Sequence, residues 1–276
     1  MAKKKENEMS FLEHLEVLRW HIIKSLISIF VVAIVAFIFK DILFNKILLA
    51  PKSPDFITYR LFCKVAEAVK IPRLCIQTVP MDLISIKMSG QFSMHIMVAT
   101  VAGLIVAFPY IFYQFWRFIV PALYPKEQKV ARGAVAVSSL LFLLGVFFGY
   151  FIITPLTVQF FSSYSVSDAV TNQINLISFV SSIASILLSA GIVFELPILV
   201  YFLSKIGLIT PKFLKKYRKH SLVLILLLAA IITPPDIFSQ LVVSLPLFLL
   251  YEAGIVISRR IEKKRIKQEA VNAAAS

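Results

Sequence analysis

The sequence predicts an all-α polytopic membrane protein with six transmembrane helices, the last two short, and both termini cytoplasmic. Three observations carry this. First, 59% of the 276 residues are apolar and only 16% are charged, whereas a soluble domain carries about 25% charged residues. Second, the apolar residues gather into six runs, four of them near the ~20 residues a helix needs to cross hydrocarbon. Third, Lys and Arg collect beside these runs, mostly on one side.

The chain opens with an expected surface helix over residues 1–20. Ser10-x-x-Glu13 fits a capping box, so the helix is predicted to start at Ser10. Phe11, Leu15, Leu18 and Ile22 form an apolar stripe, with Glu13, Glu16 and Trp20 roughly opposite. Such a helix lies along the membrane surface. Charged residues continue to Trp20, and no small-residue cleavage site follows the first apolar run, unlike a cleaved signal peptide.

Residues 21–257 form the predicted transmembrane domain. The first four spans run from about His21 to Phe39, Phe92 to Phe112, Gly133 to Ile153 and Phe179 to Leu203. The fifth, Ser221 to Ile232, has twelve residues, and the sixth, about Leu241 to Ile257, has seventeen. Runs this short fit a re-entrant hairpin or a short spanning pair. Basic residues flanking the pair favour spanning across a locally thinned bilayer.

With both termini inside, twenty-one of the 29 Lys and Arg residues lie on the inner side and eight in or beside the first outer loop. That loop, residues 41–90, is long enough to carry structure of its own. Its Cys63 and Cys75 lie on the oxidising side, where a disulfide is reasonable; two free thiols are the alternative. The basic tail, residues 258–276, reads as a solvated helix or a disordered end attracted to anionic lipid.

The net charge of +14 does not indicate nucleic acid, because the cations flank apolar runs and no nucleic-acid motif is present. No Cys/His cluster has metal-ligand spacing, so neither a metal nor a cofactor is expected. His14, His21, His95 and His220 are scattered and no HExxH occurs, so the chain is not expected to be an enzyme.

Four stretches carry a family resemblance: "FLEHLEVLRWHI", "FPYIFYQFWRFIVPALYPKEQK", "FELP" and "ITPPDIFSQ". From about Phe11 to Arg260 the chain resembles TatC, the multi-spanning subunit of the twin-arginine protein translocase. The resemblance implies a receptor in the bacterial cytoplasmic membrane for twin-arginine signal peptides of folded precursors. It also implies TatA/TatB-type single-span partners, a homo-oligomeric receptor complex and export driven by the proton-motive force.

Paired arginines call for carboxylates on the inner face, because guanidinium is planar, always charged and pairs bidentately. By resemblance, Glu127 in "LYPKEQK" is one such group, with Phe118 near it. The family pattern HLxELR places a second carboxylate directly before Leu-Arg. Here Val17 fills that position, followed by Leu18 and Arg19. Glu16 lies about 100° around the helix from Val17, and Glu13 is one turn earlier on nearly the same face as Val17. Glu16, with Glu13 helping, is expected to replace the missing group. Alternatively, Glu13 only caps the helix, Glu16 is only solvated, and Phe118 belongs to an interfacial aromatic belt.

Glu195 interrupts the fourth apolar run. A central charge costs about 2.5–3.5 kcal/mol on insertion scales, and each Leu, Ile, Phe or Val returns about 0.3–0.6. The thirteen such residues from Ile183 to Leu203 offset the charge by about 4–8 kcal/mol in all, so insertion is tolerated. Pro197 cannot donate to the Val193 carbonyl, which predicts a break beside the acid. Gly191 allows close approach of another helix, and Ser182, Ser185 and Ser189 form a polar stripe nearby. Glu195 is expected to meet a polar group of a partner helix or an inserted signal peptide; bonding to a neighbouring helix of this chain is the alternative. An ion-coupled secondary transporter of a small solute would also use an acid at a broken helix, but the sequence shows no internal repeat.

Overall fold

The structure, a computed structural model, describes residues 11–70, 75, 82–119, 131–167, 173–233 and 237–275. Helix α1 (Phe11–Ile38) runs without a break from the expected surface helix into the first span. It contains no Gly or Pro, so nothing in its backbone chemistry stops it near residue 20. The expected cap at Ser10 lies outside the described residues, as do the side chains of Phe11 and Glu13.

The loop expected on the outer side carries structure among its described residues. It holds a π-helical turn (Ile42–Leu48), a short 3₁₀ turn (Ala50–Lys52), α2 (Ile57–Val69) and strand β1 (Asp82–Ile84). Cys63 of α2 is bonded to Cys75. Helix α2 ends at Lys70 in the left-handed conformation (φ 58°), with its N–H closing on the carbonyls of Ala66 and Glu67. A left-handed residue that takes up last-turn carbonyls is a common helix stop.

The membrane-length segments follow. Helix α3 spans Gly90–Ile119 and contains Pro109. Helix α4 (Ala131–Phe148) passes through a π-helical stretch (Gly149–Ile153) into α5 (Thr154–Ser163). Pro155 lacks the N–H that would reach the Phe151 carbonyl. Thr58 of α2 supplies a substitute, donating to that carbonyl at 2.6 Å. Tyr150 likewise donates to the carbonyl of Ile47 at 2.6 Å. The loop thus takes up a backbone acceptor that the proline leaves open.

Strand β2 (Gln173–Asn175) pairs in parallel with β1, with Leu83 opposite Ile174. This two-stranded sheet was not anticipated from the sequence. β2 leads directly into α6 (Leu176–Phe194), and β1 leads into α3 after residues 85–89. The Asn175 side chain caps α6 by accepting from the N–H of Ile177 at 2.8 Å. Leu48, Met94, Val98, Phe179, Val180 and Ile183 make the core beneath the sheet.

Helix α7 (Leu196–Lys205) continues the fourth span after a break at Glu195. Helix α8 (Pro211–Lys216) starts at Thr210, whose hydroxyl accepts from the N–H of Phe213 at 3.2 Å. Helices α9 (Arg218–Ile232) and α10 (Ile237–Ala275) form the last pair. Ile225 and Ala229 of α9 pack with Val243 and Leu247 of α10 against Ile186, Ala190 and Phe194.

Among the described residues five segments are long and apolar enough to cross a membrane: Leu15–Ile38, Gly90–Ile119, Gly133–Ser163, Leu176–Lys205 and Ser239–Lys267. The chain is therefore an all-α, multi-pass membrane protein. The expected fifth span falls within α9, whose 15 residues extend about 22 Å, short of a ~30 Å hydrocarbon core. Helix α10 has 39 residues and extends about 58 Å. It passes residue 258 without a break, so the basic tail continues the last span as one helix.

Candidate functional site

Glu195 ends α6 and begins α7. Its φ and ψ of −75° and −5° keep the chain helical but tighten it. Its N–H bonds to the Ile192 carbonyl at 3.1 Å, and its own carbonyl accepts from Ile198 and Leu199 at 3.0 Å each. Pro197 sits in the first turn of α7, where a missing N–H costs least. The proline thus divides the span into two helices at the acid.

The facing surface of α4 explains why the acid stays in place. Ser138, Phe142 and Gly145, with Gly149 at the start of the π-helical stretch, recur at helical spacing and line one face. A Cβ on Gly145 would stand 2.6 Å from the Ala190 carbonyl oxygen, and one on Gly191 would stand 2.7 Å from the Phe142 ring. Both positions need glycine for α4 and α6 to approach this closely. Phe142 stacks in turn on Phe108 of α3, with ring centroids 3.6 Å apart. At the end of this face Ser138, fully buried, donates to Glu195 Oε2 at 2.7 Å. Glu195 Oε1 is buried and has no hydrogen-bond partner among the described residues.

The serine stripe read along the sequence does not make this site. Ser189 donates to the Ser185 carbonyl of its own helix at 2.6 Å. Ser182 lines a separate small hollow with Thr154, Thr157 and Gln173. The polar partner of Glu195 instead comes from α4, 57 residues away. An apolar hollow of about 800 Å³ at the loop end, with Lys46 and Asp55 on its lining, does not include Glu195.

At the other end of α3 lies the expected peptide-binding surface. Glu16, Arg19 and Trp20 are exposed on α1, while Val17 and Leu18 are half-buried. Arg19 lies over the Trp20 ring at 5.9 Å. Glu16 makes no hydrogen bond or ion pair among the described residues. One turn beyond Val17, His21 Nδ1 meets Gln114 Oε1 at 2.7 Å, and Gln114 is buried. The His21 ring also approaches Phe118 edge-on, with centroids 6.4 Å apart. The structure therefore brings Phe118 beside the helix that carries Glu16 and Arg19. Glu127 lies outside the described residues.

Two features of the expected stripe differ. Leu15 and Ile22 are exposed, and the contact with α3 is made by the neighbouring face that carries His21. Leu15 and Ile22 fall within a membrane-length apolar segment, and in such a segment apolar residues can point outward to lipid, so amphipathicity does not mark the packed side. His21 and Gln114 carried no signal as a pair, because they are 93 residues apart and meet only through helix packing. Among the described residues no group of three or more His, Cys, Asp or Glu side chains could hold a metal.

An all-α bundle with five membrane-length segments, one of them broken at a half-buried acid, defines a multi-pass membrane protein. The family described as Sec-independent protein translocase protein (TatC) matches residues 13–246. The chain belongs to the TatC family. It is 42% identical over 265 residues to the TatC protein of Blattabacterium sp. subsp. Periplaneta americana, covering 95% of this chain and 100% of that one. It is 31% identical to TatCy of Bacillus subtilis, covering 99% of this chain and 97% of the relative. Two crystal structures of the twin arginine translocase receptor TatC have the same fold. One is matched at TM-score 0.67 and 31% identity, over 91% of this chain and 100% of the other. The second, in DDM, is matched at TM-score 0.69 and 32% identity, over 89% and 99%.

Proposed function

We propose that this chain is the signal-peptide receptor and organising subunit of a twin-arginine translocase in the bacterial cytoplasmic membrane. The twin-arginine tag docks on the inner face, where Glu16 and Glu127 pair with its guanidinium groups and Arg19 and Phe118 border the site. The carrying observation is the contact of His21 with Gln114 and Phe118. It sets the end of α3 beside α1, so groups from two distant stretches can face one bound peptide.

In this reading residues 21–257 cross the membrane six times with both termini inside, α9 and α10 forming a short hairpin. Residues 1–20 and 258–276 lie on the cytoplasmic side. Glu195 offers its unpartnered oxygen to a polar group of the inserted signal peptide or of a TatA/TatB-type single-span partner. A buried acceptor without a donor is costly, and a ligand that donates to it recovers that cost. Copies of the chain assemble in the receptor complex, and the proton-motive force drives transport of folded cargo.

The test uses the full chain in lipid nanodiscs and a signal peptide with two arginines or two lysines. Tight binding of the arginine peptide alone is expected, because an ammonium cannot form the bidentate pair. Equal binding of the two peptides overturns the reading.

A further inference from the structure

A groove of about 370 Å³ runs between α4, α7 and α10. Its walls are apolar: Val137, Leu141, Ile198, Tyr201, Ile257 and Ile261. Arg260 and Lys264 line it as well. They sit at i and i+4 on α10 and so share one face. Both are exposed, and neither has an ion-pair partner among the described residues. From Ile257 to Lys267 the only acid is Glu262, about 200° around the helix from Arg260. Gly133 of α4 also lines the groove, and a Cβ there would meet nothing within 4 Å. The groove is open space, not packed core.

Apolar walls ending in two cations at the edge of a membrane span match an anionic amphiphile. We propose that this groove binds one anionic phospholipid, an acyl chain lying between α4, α7 and α10 and the phosphodiester held by Arg260 and Lys264. A basic pocket between spans is suited to such a headgroup, and the guanidinium adds bidentate contact with phosphate oxygens. The two cations lie beyond residue 246, where the family match ends. The site does not depend on how the chain handles signal peptides. It is also more specific than general attraction of a basic tail, because Arg259 and Lys263 have the same spacing and charge but do not line the groove.

The experiment is native mass spectrometry of the full chain in non-ionic detergent, titrated with dioleoyl phosphatidylglycerol or dioleoyl phosphatidylcholine. A retained one-to-one phosphatidylglycerol adduct is expected, with little phosphatidylcholine adduct. Each cation near a membrane surface contributes about fivefold to anionic-lipid affinity, so Arg260→Gln with Lys264→Gln should weaken the adduct roughly thirtyfold. Arg259→Gln with Lys263→Gln should leave it unchanged. Gly133→Phe, whose Cβ meets nothing within 4 Å and whose ring would take up groove space, should lose the adduct with both cations in place. Equal retention of the two lipids overturns the proposal. So does equal loss in both paired variants, or an undiminished adduct in Gly133→Phe. Displacement of the lipid by millimolar inorganic phosphate would mark a simple anion site and overturn it too.

Discussion

Ser138 donates a 2.7 Å hydrogen bond to Glu195 from a different span, 57 residues earlier. The bond joins the packed face of α4 to the point where the fourth span breaks. It satisfies one carboxyl oxygen and leaves the other buried, with no partner among the described residues. The acid is thus held in place and still able to accept one more hydrogen bond.

Removing the donor separates structure from function at this site. Ser138→Ala leaves Glu195 without its partner and should cost about 1–3 kcal/mol, read as a lower thermal midpoint in detergent. Glu195→Gln keeps an acceptor for Ser138, so it should unfold like the parent. If the acid serves transport, the same variant should export a twin-arginine reporter poorly. Normal export by Glu195→Gln would reduce the residue to a structural role.

The glycines of α4 should respond in opposite ways. Gly145→Ala forces a methyl onto the Ala190 carbonyl oxygen, and overpacking of this kind costs about 1–3 kcal/mol. Gly133→Ala meets nothing and should be neutral or stabilising by up to about 1 kcal/mol, because alanine is the better helix former. Thermal unfolding of the two variants side by side checks the sign.

The loop between the first two spans should loosen at alkaline pH. Tyr59 is buried, and its hydroxyl donates to the Pro51 carbonyl at 2.7 Å. Burial pushes its phenol up to about 12, above the ordinary tyrosine value of about 10. The folded loop holds this proton more tightly than the unfolded chain does. Its contribution is therefore full below pH ~10 and lost as pH rises through about 12. Protease susceptibility of the loop should rise across that window, and Tyr59→Phe should flatten the rise. The Cys63–Cys75 bond predicts no maleimide labelling before reduction and two labels after it.

Neutralising the surface acids should weaken peptide binding in steps. A hydrogen bond to a charged group is worth about 1.5–3 kcal/mol, so Glu16→Gln and Glu127→Gln should each raise the peptide Kd about tenfold to a hundredfold. Fluorescence anisotropy with a labelled twin-arginine peptide measures this. Unchanged affinity in the double variant would remove both residues from the site.

The residues that were legible in advance carry their signal in the local chain. The length and apolarity of Gly90–Ile119 or Leu176–Lys205 satisfy the bilayer's demand whatever their neighbours are. The break at Glu195 follows from Pro197 two residues on, through a missing N–H. Close approach at Gly191 follows from the missing Cβ. The parallel pairing of β1 with β2 was not legible, because three-residue strands carry almost no pattern of their own. The continuation of α10 to Ala275 has no sequence signal of its own, since its basic end fits a helix or a coil equally well by composition.

The sequence by itself determined that this chain is a helical membrane protein, roughly where its long apolar segments lie, and that one of them breaks beside an acid. These follow from local properties: hydropathy over about 20 residues, the φ restriction and missing donor of proline, and the absent side chain of glycine. Only the tertiary structure decided that Ser138 answers Glu195, that His21 meets Gln114, and that Arg260 and Lys264 edge an apolar groove. Each of those depends on the rotation and register of one helix against another. Helix packing sets both through the shape of many side chains at once, and no single stretch of chain records the result.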